Sequence, residues 1–134
     1  MNNIKVVIEG EPKGKARPRV TKAGIAYTPQ ETVNYENWVK LCYQTQTKKK
    51  FEREVHARID AYFQIPKSTS KKKAELMEEK EIRPTKKPDV DNIAKIILDS
   101  LNGIAYKDDS QVVSCLVCKY YSEKPRVEVL LWEE

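Results

Sequence analysis

A single histidine, three cysteines and four glycines among 134 residues exclude several common chemistries at the outset. Cys115 and Cys118 stand three apart within the run VVSCLVCKYY, which reads as a strand. Residues three apart on a strand point to opposite faces, so this pair does not form a zinc knuckle, and His56 alone adds little. With Cys42 the cysteines are odd in number and lack the spacing of a disulfide framework, which fits reduced thiols. No glycine-rich phosphate loop is present, and no Ser-His-Asp or Cys-His pattern stands out. No apolar run approaches the ~20 residues needed to cross a bilayer. The start, MNNIKVVIEGEPKG, lacks the long apolar core of a signal peptide. A soluble, cytoplasmic protein without membrane or small-molecule cofactor is expected.

What the sequence has in abundance is lysine and arginine. The formal net charge is +5, consistent with a polyanionic partner though not specific for one. Its distribution says more. Lys13, Lys15, Arg17, Arg19 and Lys22 crowd a loop opposed locally only by Glu11. A second cluster, Lys67, Lys71, Lys72, Lys73, Arg83, Lys86 and Lys87, leads directly into the aspartates Asp89 and Asp91.

The length suits one domain spanning residues 1–134 with a single modest core. Residues 4–10 predict a strand, and Pro12, Gly14 and Pro18 a loop. Residues 19–28 predict a small hairpin centred on Ala23-Gly24. A helix follows, capped by Thr28 with Pro29 in its first turn, and runs to about Lys48. Val33, Trp38, Leu41 and Cys42, with Tyr35 nearby, give it one broad apolar face. From Val55 to Ile65 apolar and polar residues alternate strictly, the signature of a half-buried strand ended by Pro66. Residues 67–87 read as a mobile basic arm, since Leu76 and Met77 offer little to anchor it; a solvated charged loop fits the composition equally well. Asp89 to Asn102 predicts a second helix stopped by Gly103. Residues 112–121 and 126–132 predict two strands around a turn at Glu123 to Pro125. The fold class is α/β (α+β), a small mixed sheet with two main helices.

The segment KKPDVDNIAKIILDSLNGIAYKDD, residues 86–109, carries the chemistry. Inside a continuous helix Asp89 and Asp91 would sit ~200° apart and could not share an ion. Pro88 disfavours helical geometry at Lys87, so Asp89 becomes the helix cap with Asp91 in the first turn. Both carboxylates then turn toward the positive end of the helix dipole, where a divalent cation would offset their repulsion. Asp91, Lys95 and Asp99 form a polar stripe, opposed by Val90, Ile93, Ala94, Ile97 and Leu101 with Ile96 and Leu98 beside them. Taken alone, Asp89 is equally a simple cap and Asp91–Lys95 a helical ion pair contributing a few tenths of a kcal/mol. The second pair, Asp108-Asp109, lies in a connection able to fold back over the helix start. Asp109 is the expected ligand, with Asp108 a turn former or an outer acid of the site. Hard oxygen donors from both places suit Mg2+ or Mn2+. Hydrolysis of a phosphodiester needs an activated water, charge neutralisation and a stabilised leaving oxygen; a metal supplies these, and Lys95 adds positive charge at the phosphate.

The runs K-K-P-D-V-D-N-I-A-K-x-x-L-D-x-L-N-G and D-D-S-Q-V-V, together with G-K-A-R-P-R-V and A-Y-T-P-Q-x-T-x-x-Y-E, resemble the RusA family of Holliday junction resolvases of bacteria and prophages. The likeness covers both ends of the chain, while residues 48–85 match only in character. The resemblance implies a homodimer that nicks four-way junction DNA symmetrically with Mg2+ or Mn2+ in recombination and repair. By motif position it implies Asp89, Asp91 and Asp109 as metal-binding acids and Lys95 as the catalytic lysine, with Asp91 acting in both roles. Two sites related by a two-fold axis would match the symmetry of a junction. Lys13, Lys15, Arg17 and Arg19, with Lys86 and Lys87, would bind phosphates without reading bases. Against this stand a nuclease for other DNA structures and a non-catalytic nucleic-acid-binding module. A phosphatase or glycosyl transferase using Asp-x-Asp fits poorly, because no apolar strand precedes that motif.

Overall fold

Alternation over residues 55–65 produces the inner element of the fold, β4 (Val55–Gln64). The structure, a computed structural model, describes residues 2–134, and of Asn2 the backbone alone. Val55, Ala57, Ile59, Ala61 and Phe63 are buried, and the residues between them are partly exposed. β4 lies in a four-stranded sheet of order β1-β6-β4-β5, with β1 (Asn2–Glu9), β5 (Val112–Ser122) and β6 (Arg126–Glu133). It runs parallel to β5 and antiparallel to β6, so the sheet is mixed, as expected. The basic N-terminal loop carries the small hairpin, β2 (Arg19–Val20) with β3 (Ala26–Tyr27).

The last two strands form where the sequence places them but do not pair with each other; β4 lies between them. The four chain steps from Ser122 to Arg126 reach about 13 Å. Two strand spacings need only about 9.5 Å, so so short a turn can step over a strand. A parallel β4–β5 pair also needs a long crossover. The segment of residues 65–111 supplies it.

Register puts Val6, Ile8, Val127, Val129 and Leu131 on the same face as Ala57, Ile59 and Ala61. Helices α1 (Gln30–Gln46) and α3 (Val90–Ser100) pack there. Helix α1 starts one residue later than its sequence suggests, with Pro29 rather than Thr28 as cap, and it ends at Gln46. Its buried side is Thr32, Tyr35, Val39, Cys42 and Tyr43, whereas Trp38 and Leu41 are 41% and 51% exposed. The face drawn through Trp38 and Leu41 is therefore corrected. Trp38 lies toward the rim, where its indole N–H donates to the Glu9 carbonyl at 2.8 Å. In α3, Ile93, Ile96, Ile97 and Leu101 are buried, but Val90, the first residue of the helix, is 47% exposed.

The charged segment read as a basic arm contains a third helix, α2 (Lys71–Glu78), capped by the Ser70 hydroxyl. Met77, which composition undervalued, is 4% exposed and anchors it near β5. The Glu78 carboxylate accepts from the Glu123 N–H at 3.1 Å, and Arg83 donates to the Lys119 carbonyl at 2.9 Å. Lys80 and Arg83 add cationic contacts to the Tyr120 ring, 4.7 and 4.6 Å from its centre, so that Met77 and these polar ties together hold the segment.

Replacing Met77 by Asp should therefore free residues 67–87 while leaving the sheet intact. Trypsin cleavage within 71–80 is expected to accelerate at least about tenfold, since burial worth roughly 2 kcal/mol is lost. Far-UV circular dichroism should retain its strand signal; unchanged cleavage would show that Met77 is not the anchor.

Candidate active site on the polar edge of α3

Burial of Ile93, Ile96 and Ile97 fixes the rotation of α3 about its axis, so Asp91, Lys95 and Asp99 share the opposite edge. Asp89 caps the helix through its backbone carbonyl, which accepts from the Ile93 N–H at 3.0 Å. Its side chain makes no capping hydrogen bond and is exposed. After Leu101 the chain reverses through Gly103, whose φ of +76° favours glycine.

The return brings the second acid pair back to the helix. Buried Tyr106 donates its hydroxyl to the Leu98 carbonyl at 2.6 Å. The Asp109 N–H donates to Asn102 Oδ1 at 2.7 Å. Gln111 fastens the turn from the other side: its Oε1 accepts from the Lys107 N–H at 2.9 Å, and its Nε2 donates to the Phe51 and Arg53 carbonyls, both at 3.1 Å. Asp108 is a turn former, accepting the Ser110 hydroxyl at 2.7 Å. Asp109 instead points to the helix.

Asp91, Lys95, Asp99 and Asp109 line one cleft of about 540 Å³, walled by Ala94, Leu98, Val112, Val113, Ser114 and Cys115. Asp89 does not line it. Among the described residues no three acidic, histidine or cysteine side chains converge closely enough to enclose an ion. Asp99 and Asp109 interact directly. Burial, then Asp99, then Asp108 raise the Asp109 carboxyl above its ordinary pKa, with Asn102 opposing. Two hard carboxylates pressed together in a partly buried cleft, with a third on the same wall, match a divalent cation in donor chemistry.

Asp99 belongs to the polar stripe that the sequence shows, yet neither its motif position nor its neighbours mark it as a ligand. Its signal was the eight-residue spacing from Asp91, two turns along the same edge. Lys15 was equally hidden. Rather than projecting from the basic loop it is partly buried, 2.7 Å from Glu36 of α1 and 3.6 Å from Asp99. Burial works against its charge, but Glu36 and then Asp99 outweigh it, and its pKa is raised. The backbone explains the turn inward. The Lys15 N–H donates to the Asn92 carbonyl at 3.0 Å. A Cβ on Gly14 would lie 2.8 Å from Pro88 Cβ and 3.0 Å from Asn92 Cβ, so only glycine lets the loop lie on α3.

Of the remaining basic residues, Arg17 and Arg19 are exposed on the loop and β2, while Lys13, Lys86 and Lys87 line a second groove beside the start of α3. Across β4 and β5, His56 Nδ1 meets Ser114 Oγ at 2.7 Å. The nearest acid to that histidine, Glu134, is 3.9 Å away and 74% exposed, so no hydrogen-bonded Ser-His-acid triad results.

Residues 9–131 match the family described as Endodeoxyribonuclease RusA. A relative in Bacillus subtilis (strain 168), named only as the uncharacterized protein YqaN, is 41% identical over 139 residues, covering 99% of this chain and 98% of its own.

The Asp99–Asp109 contact has a measurable cost in the absence of metal. Because the folded pKa of Asp109 is raised, its contribution to stability is full below the ordinary carboxylate pKa and is lost as pH rises through the raised value. Asp109→Asn should then raise the melting temperature in chelator at pH 7 by about 2–4 °C, and by less at pH 4. A lower melting temperature at pH 7 would contradict the like-charge reading.

Proposed function

This chain belongs to the RusA endodeoxyribonuclease family, and from that premise we propose that it is a Mg2+-dependent resolvase cutting four-way DNA junctions, with Mn2+ able to substitute. The observation that carries the reading is the meeting of Asp91, Lys95, Asp99 and Asp109 in one cleft of a member of that family. Asp91, Asp99 and Asp109 would hold the cation, with Asp89 at the helix cap as the further acid named by its motif position. Bound there, the cation would supply activation of water and neutralisation of the developing charge on phosphorus.

The chain's own residues do the rest. Lys95, one turn from Asp91, brings an ammonium to the cleft where the scissile phosphate gathers charge. Ala94, Leu98 and Val113 give the open cleft an apolar wall beside these charges. Lys15 holds Asp99 in place from behind, through the ion pair it shares with Glu36. Water attacks phosphorus and gives up a proton, the bond to the 3′-oxygen breaks, and that oxygen takes up a proton, leaving a 5′-phosphate and a 3′-hydroxyl.

A homodimer would present two such clefts to two strands of opposite sense, so that both are nicked symmetrically. In support, β5 is an edge strand of the sheet, and its Leu116, outside the cleft, is 52% exposed.

Labelled four-way junction and linear duplex of the same sequence should separate the alternatives. The junction is expected to be cut with Mg2+ or Mn2+ and not in chelator. Asp91→Asn should slow cutting by at least roughly a hundredfold while leaving binding in place, since it removes a ligand charge and not the basic surface. Equal cutting of both substrates would keep the nuclease and remove the junction; normal cutting by Asp91→Asn would remove the site.

A further inference from the structure

The groove on the other side of α3 has a separate composition. It measures about 500 Å³ and is lined by Lys13, Lys86 and Lys87, with Pro88 and Asn92 from the start of α3 and Phe63 from β4. Its one acid, Glu11, is engaged at the rim, where its carboxylate accepts from the Gln64 N–H at 3.2 and 3.4 Å. Lys15 also borders it, but its ammonium is paired with Glu36 and Asp99. The exposed ammoniums facing this space are therefore those of Lys13, Lys86 and Lys87.

The loop bearing two of them is held in place. Lys119 of β5 donates its ammonium to the Lys86 carbonyl. Its Nζ lies 5.3 Å from the centre of the Phe63 ring, and that of Lys86 lies 5.7 Å from the same ring. Phe63 is 1% exposed, so the ring forms a wall beneath the lysines and offers no face on which a base could stack. Chemistry of this kind recognises phosphate rather than base. The first turn of α3 divides the two sites: Pro88 and Asn92 line the groove, and Asp91 between them lines the acid cleft.

We propose that this groove is a phosphate-backbone subsite. It would hold the DNA strand immediately beside the scissile phosphate through Lys13, Lys86 and Lys87, with Lys119 as the residue that positions Lys86. The assignment rests on DNA being the substrate. It goes further in splitting the basic residues by role: Lys15 serves the acid site, and the lysines of the groove grip one or two neighbouring phosphates.

The test measures binding of the full chain to a labelled four-way junction in chelator, across a salt series. The unmodified chain should bind with a steep salt dependence. Lys86→Met with Lys87→Met should flatten the slope of log K against log salt by about 1–2, since each lost phosphate contact removes nearly one. A pair with the same charge change on the exposed side of α2, Lys71→Met with Lys72→Met, should leave the slope near its original value. An unchanged slope in the groove variant, or an equal loss in the α2 variant, would overturn the subsite. If the unmodified chain fails to bind DNA, the nuclease reading falls instead; the two failures are distinct.

Discussion

Ile93, Ile96, Ile97 and Leu101 are each at most 1% exposed, and their seat on the sheet leaves α3 no freedom to rotate. Every other feature of chemical interest depends on that seat. Truncating one such side chain would remove roughly 2–5 kcal/mol, a large part of the stability of a domain this size. With the helix so fixed, Asp91, Lys95 and Asp99 must face one way, while Asn92 faces another. One short helix thereby separates an acidic cleft from a basic groove.

The N-terminal loop and the turn after α3 then complete the site from opposite sides. Gly14 lets the loop lie against Pro88 and Asn92 without a Cβ in the way, and Lys15 reaches through to Asp99. The turn of residues 103–111 is stapled by Tyr106, Asn102 and Gln111, and it delivers Asp109 against Asp99. The like-charge contact that results is unfavourable in isolation. Proteins keep such contacts where a cation or a substrate makes use of them.

Local patterns were legible in the sequence because local physics produces them. The alternation of β4, the hairpin around Ala23-Gly24 and the Asp89 cap forced by Pro88 all follow from neighbours a few residues apart. Partners distant in the chain were not legible. Nothing within residues 112–133 reveals that β4 will lie between the last two strands. Trp38 and Leu41 fit a helical face but belong to the rim, because the buried series runs through polar Thr32. Lys15 looked like one basic loop residue among five until Glu36 and Asp99 were seen to enclose it. Met77 looked insufficient because composition does not show where a side chain will be buried.

The central claim is that α3 and the following turn assemble a divalent-cation site from Asp91, Asp99 and Asp109. A Mn2+ titration of the 15N-labelled chain, followed by paramagnetic broadening of its amide resonances, addresses it most directly. Broadening should begin at Asp91, Lys95, Asp99 and Asp109 and spread outward from the cleft. Loss of signal first at the C-terminal Glu133 and Glu134, with the cleft unaffected, would contradict the account.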